Sequence, residues 1–153
     1  MSKQDFLARV RAGRAELAAA ISGLTEEQLT QEIVTDKWTA KDILAHLGAW
    51  ESEAVRVAEH IARGEPDNFQ IDESVDEWNR RRVEERRRLP LVDVMQEFND
   101  AHDSLLVALE RCPEDGGVGG PDWWEPAGPM WWLTEHDLEH VAAIKAFQAR
   151  IGS

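Results

Sequence analysis

Cysteine, tyrosine, basic charge and long apolar runs are all scarce in this 153-residue chain, and each scarcity excludes something. A single cysteine rules out an intramolecular disulfide and fits a reducing cytoplasm. That residue, Cys112, closes an apolar helical run just before Pro113 and reads as a buried structural thiol rather than a nucleophile. The absence of tyrosine removes phenolic acid–base chemistry. No segment approaches the roughly 18 consecutive apolar residues that a membrane span requires. Met1-Ser-Lys-Gln-Asp-Phe carries charges where a secretion signal needs an apolar run, so a cytoplasmic location is expected. Lysine and arginine number 17 against 30 aspartate and glutamate, and the formal charge of −13 argues against a nucleic-acid partner.

The one basic stretch, Arg80 to Arg82 and Arg86 to Arg88, does not change that. Asp76 and Glu77 lie four residues before Arg80 and Arg81, and Glu84 lies four before Arg88. That order marks a solvated, ion-paired helix face.

What the chain does have is helical periodicity, with strand signals nearly absent. Ser2 and Asp5 open a first helix whose face runs Phe6, Val10, Leu17, Ile21 and Leu24. Gly23 interrupts it, and Thr25-Glu-Glu-Gln28 caps a short turn. Thr39-Ala-Lys-Asp42 is a second capping box, opening a long helix with Ile43, Leu47, Trp50, Ala54, Val57 and Ile61 on one face. It ends near Gly64. After a polar connection over residues 65–68, a charged helix from about Asp72 to Arg88 has few large apolar residues, chiefly Trp78 and Val83, and belongs at the edge of the fold. Pro90 introduces a helix burying Leu91, Val94, Phe98, Leu105 and Leu109. A glycine-rich loop, Glu114 to Pro121, has no Lys-Ser/Thr and no preceding strand, so it reads as a flexible connector rather than a phosphate cradle. Gly128-Pro129 starts a last helix reaching about Ile151. The expected architecture is all-α: one domain over residues 1–153, an antiparallel four-helix bundle with an additional peripheral helix.

The last helix carries the most informative spacing, His136 and His140 in Thr134-Glu-His-Asp-Leu-Glu-His140. Four residues put both imidazoles on one helix face, where a single metal ion can take a nitrogen from each. Leu133, Ile144, Phe147 and Ile151 recur at helical intervals with them, so the pair borders the buried stripe. A hydrogen-bonded network is the alternative to a metal, because buried imidazoles need partners of some kind. Catalytic zinc sites usually take three protein ligands and leave one position open. His46 and His102 each lie at the border of an apolar helix face, and spacing does not choose between them. His60 points to an acidic outer face.

The segment Lys37-Trp38-Thr39 through His46-Leu-Gly-Ala-Trp-Glu51 resembles the second-helix signature of the DinB/YfiT-like four-helix bundle superfamily. The stretch from Asp76-Glu-Trp-Asn79 through Leu89-Pro-Leu and Phe98-Asn-Asp-Ala-His102 to Leu109 further resembles its ClbS/DfsB-like branch, and the terminal His-x3-His is the superfamily's usual pair. The resemblance implies His46, His136 and His140 as ligands of one divalent ion, zinc or nickel, with a site open to water or a thiol. It implies hydrolysis or thiol transfer on a small electrophilic molecule, in detoxification or self-resistance. Many members place a second histidine directly before the last ligand, where this chain has Glu139. Asp42, four residues before His46, could orient that imidazole, although the capping box explains it equally well.

The chain holds 7 tryptophans, and four of them, Trp123, Trp124, Trp131 and Trp132, cluster just before the ligand-bearing helix. Trp50, Trp124 and Trp131 are the candidates for a wall around an apolar or aromatic small-molecule substrate. The plainer alternative is that the clustered rings seal the bundle end. Two further readings compete with a metal enzyme. One is a metal-free ClbS/DfsB-like resistance protein. The other is a non-catalytic homodimeric module that pairs through the exposed face of residues 72–88.

Overall fold

The computed structural model describes residues 1–66 and 72–152. Its elements are α1 (Lys3–Ser22), α2 (Glu26–Thr30), a two-strand hairpin of β1 (Ile33–Thr35) and β2 (Trp38–Thr39), α3 (Ala40–Ala62), α4 (Val75–Arg87), α5 (Leu91–Arg111) and α6 (His136–Ile151). The expected caps form. Ser2 accepts from the Asp5 backbone, and both Thr25/Gln28 and Thr39/Asp42 close complete capping boxes.

The four long helices make the bundle, and neighbouring contacts fix their directions. Lys3 donates to the Glu110 and Cys112 carbonyls while Arg14 covers the Phe98 ring, so α1 runs against α5. Trp50 meets Trp132 and His46 meets His140, so α6 runs against α3. Within each closest pair the sense is parallel. Gly48 touches Phe98 and Cys112 donates to Ala58 between α3 and α5, while Gly13 meets Asp137 and Gln148 donates to Ala20 between α1 and α6.

The crossover that permits this is α4. Asn79 accepts from Trp50 midway along α3, and Arg87 reaches Asp42 at its start, so α4 carries the chain back down α3 and delivers α5 beside the same end. It is peripheral, as its composition predicts. Its apolar residues Trp78 and Val83 are buried inward against the bundle. The outer face pairs Arg80 with Glu77 and Glu84, Arg81 with Glu73, and Arg82 with Glu85. An interface on that face would therefore have to be polar.

Three local features differ from the sequence reading. The hairpin was hidden by its brevity, though Ile33-Val-Thr35 is β-branched and Asp36 takes the left-handed conformation, φ 48°, at its turn. Helix α6 starts at His136, not at Pro129. Residues Trp131–Thr134 form a 3-10 turn, and Glu135 gives α6 no side-chain cap. The glycine loop is a fitted wrap rather than a slack connector: a Cβ on Gly119 would stand 2.6 Å from the Trp123 ring. The connection expected over residues 65–68 lies partly outside the described residues.

The core has two apolar layers. One gathers Leu17, Ile43, Leu44, Leu47, Phe98, Ile144 and Phe147. The other gathers Phe6, Leu7, Ala58, Leu105, Leu109 and Trp124. Between them, on all four bundle helices, sit the buried polar side chains Arg14, Glu51, His102 and Asp137.

Candidate metal centre

Three of the four bundle-facing histidines converge. His46 from the second turn of α3, with His136 and His140 from the start of α6, place one nitrogen each so that all lie within 4.8 Å of one another. The Nε2 atoms of His46 and His136 are 3.0 Å apart, one ring donating to the other. The rings of His46 and His140 stand 5.3 Å apart, and those of His136 and His140 5.1 Å. The helical step of four residues brings the α6 pair together, and the antiparallel packing of α3 on α6 presents His46 to both.

Burial keeps these imidazoles neutral. Desolvation, reinforced by mutual repulsion with His136 and His140, pushes His46 down to about 3. Desolvation and the His140 charge push His136 down to about 4. His140 is lowered by the same desolvation, with Asp137 pulling the other way. A divalent ion needs that deprotonated form of imidazole. Nitrogens sharing one zinc at about 2.0–2.1 Å stand about 3.3 Å from each other, so the trio fits an ion with modest side-chain rotation. Among the described residues, His46 Nδ1 is buried without a hydrogen-bond partner. The ring is held instead by packing, with Trp38 at 4.8 Å between centroids.

His102 is not a fourth member. Its Nδ1 donates to Glu51 Oε2 at 3.3 Å, and Glu51 also takes the Arg14 guanidinium. Asp42 serves the cap: Thr39 N donates to its Oδ2 at 3.1 Å, and Arg87 approaches it from α4. Glu135 accepts from Trp131 Nε1 at 3.0 Å.

The histidines open into a cleft of about 470 Å³ lined also by Trp50, Asn79, Trp132, Glu135 and Glu139. Of the tryptophans singled out in the sequence, Trp50 is here. Trp124 is 2% exposed in the core against Phe6, and Trp131 faces α1, packing on Phe6 and under Arg9. Neither lines the cleft. Trp132, the neighbour that sequence reasoning passed over, does. Within the 3-10 turn the two consecutive rings face different sides, Trp131 towards α1 and Trp132 into the cleft.

A family model described as the mycothiol maleylpyruvate isomerase N-terminal domain matches residues 10–142, a span holding all three histidines. The chain belongs to this family. It is a DinB/YfiT-like helical domain, in keeping with the resemblance seen in the cap-and-histidine segment. A crystal structure of an uncharacterised protein from Escherichia coli UTI89 shares the fold, with a TM-score of 0.78 at 12% identity over 99% of this chain and 95% of that one. No curated protein matches. No helix among the described residues is long and apolar enough to cross a membrane.

Proposed function

We propose that this member of the family is a cytoplasmic, divalent-metal-dependent enzyme that hydrolyses, or transfers a thiol to, a small electrophilic molecule. The convergence of three neutral imidazole nitrogens from two helices at an open cleft carries this reading. His46, His136 and His140 would hold the ion, zinc or nickel by its nitrogen ligands. Such an ion lowers the pKa of a water or thiol to the neutral range. The chain's own share is to hold three lone pairs in one place and to exclude water behind them with Trp38. Glu139, which lines the cleft with the histidines, would take a proton from the incoming nucleophile.

The family's name carries a thiol, mycothiol, and a carboxylate substrate, maleylpyruvate. A thiol suits this centre. The carboxylate is not carried over, because the described lining of the cleft offers Glu135 and Glu139 and no lysine or arginine. Elemental analysis of protein purified without a histidine tag tests the reading. It expects about one divalent ion per chain, lost on His140→Ala. A folded chain that takes up neither zinc nor nickel on dialysis sinks it.

A second reading draws on the direct 3.0 Å hydrogen bond between His46 and His136, which closes that pair without an ion. The chain would then be a metal-free binding protein of the ClbS/DfsB-like kind, sequestering a reactive product. Substituting the histidines would leave protection intact, and replacing Trp50 or Trp132 would abolish it.

A further inference from the structure

Beside the histidine cleft lies a second chamber that shares two of its walls, and the two differ in chemistry. Trp50 and Trp132 line both. Their rings meet edge to face, 6.1 Å between centroids at 70°, and the His136 ring lies 5.6 Å from Trp132. These two tryptophans thus form the partition between the histidines and the chamber. Beyond them the chamber measures about 390 Å³ and is walled by Val57, Ile61, Trp123 and Met130. Glu53 is the charged residue in its described lining, which includes no lysine or arginine.

We infer that this chamber is a binding subsite for a flat, apolar group of fused-ring size, uncharged or cationic, on a molecule whose polar head reaches the histidines. Three indole walls favour a planar occupant, since aromatic rings gain from offset and edge-on contact beyond their buried area. The volume lies in the range of small-molecule pockets and holds two fused rings with room for a linker. Charge sets the sign. An anionic occupant would meet Glu53 in the chamber, whose carboxylate is already engaged by Arg56 at 3.4 Å, and the exposed Glu135 and Glu139 at the head, with no lysine or arginine in either described lining to pair with it. The placement of the head rests on the metal-centre reading above, whereas the tail subsite rests on the chamber alone.

Equilibrium dialysis separates the two. On metal-free protein the probes are 2-methoxynaphthalene, 2-naphthylmethylammonium and 2-naphthoate, with wild type, Val57→Trp and Val57→Lys. The neutral and cationic probes are expected to bind at least about tenfold tighter than naphthoate. Val57→Trp, which fills the chamber without touching a histidine, removes that binding. Val57→Lys, tolerated at a half-buried position, raises naphthoate affinity instead. Equal binding of the three probes, or Val57→Trp leaving the methoxynaphthalene affinity unchanged in a folded variant, overturns the subsite. A second arm uses zinc-loaded protein with 2-naphthohydroxamate and acetohydroxamate, where the naphthyl compound is expected to win by about tenfold in wild type and not in Val57→Trp. If zinc does not load, the metal-centre reading fails while the first arm still decides the chamber.

Discussion

Arg14 crosses the bundle to donate from Nε to Asp137 Oδ2 at 2.9 Å, and Asp137 is the residue that follows His136 on α6. The same guanidinium bonds Glu51, the neighbour of Trp50, and lies 3.8 Å above the Phe98 ring. One buried cation therefore ties the start of α6, which carries His136 and His140, to the middle of α3, just over one turn beyond His46. Since α6 begins without a side-chain cap, this tether is a main constraint on its first turn.

Replacing Arg14 with Met leaves two buried carboxylates facing each other without a cation. Breaking a buried pair in this way costs about 3–5 kcal/mol, and a chain of this size should lose about 10 °C or more in Tm. Adding Glu51→Gln and Asp137→Asn to Arg14→Met should restore most of that loss. Urea unfolding of the single and triple variants measures it. If Arg14→Met alone unfolds like wild type, the buried Arg14 tether contributes none of the stability assigned to it.

The two histidines that spacing left equal now separate experimentally. His46→Ala and His140→Ala should each weaken zinc binding by at least about a hundredfold, as loss of one of three protein ligands does. His102→Ala should keep the stoichiometry, because that ring is engaged by Glu51 rather than by the trio. Its cost should appear in stability instead. Calorimetric titration of zinc into the three variants, read beside their melting curves, distinguishes the outcomes.

The contrast shows what residue order alone can tell. Leu17, Ile43, Leu47, Phe98 and Ile144 announced their helices because each repeats at helical spacing, and all are buried. The His136–His140 pair was legible for the same reason. Spacing left the third histidine open, since His46 and His102 have the same local pattern; the family resemblance pointed to His46, and α3's antiparallel approach to α6 brings it to the pair. Of the three tryptophans singled out, Trp50 lines the histidine cleft, whereas Trp124 and Trp131 lie elsewhere. Trp131 and Trp132 sit in a 3-10 turn, whose step of about three residues per turn sets them apart from the phase of α6. Arg14, Glu51 and Asp137 gave no signal, because charged residues on a helix read as surface until their partners on other helices are known.

Acid should unfold the metal-free protein through the same histidines. His46 and His136 titrate near 3 and 4 in the folded chain but near 6.5 when unfolded. Between those values the unfolded state binds more protons, so stability is full above about pH 6.5 and falls as the pH drops. Each histidine contributes about 1.4 kcal/mol per pH unit across that window. From pH 7 to 4.5 the wild-type melting temperature should fall more steeply than that of a His46→Gln/His136→Gln variant, which lacks both titrating groups. Parallel curves would show that the imidazoles are not held neutral by the fold.

Two glycines, Gly64 just past α3 and Gly116 in the glycine loop, offer a stability test in which similar substitutions should differ sharply. Gly64 and Gly116 both hold left-handed backbone, at φ 75° and 82°. A Cβ on Gly64 meets nothing within 4 Å, so Gly64→Ala should cost only the backbone strain, about 1 kcal/mol. On Gly116 the added carbon would stand 2.1 Å from the Gly120 carbonyl oxygen and 2.7 Å from Trp123 Cβ. Neither neighbour can yield without moving the indole that walls the apolar chamber, so Gly116→Ala should cost at least about 3 kcal/mol. It should also weaken methoxynaphthalene binding, which Gly64→Ala should not. Thermal melts and dialysis on the two variants test both halves, and equal destabilisation would show that the loop yields around Trp123 instead of fixing it.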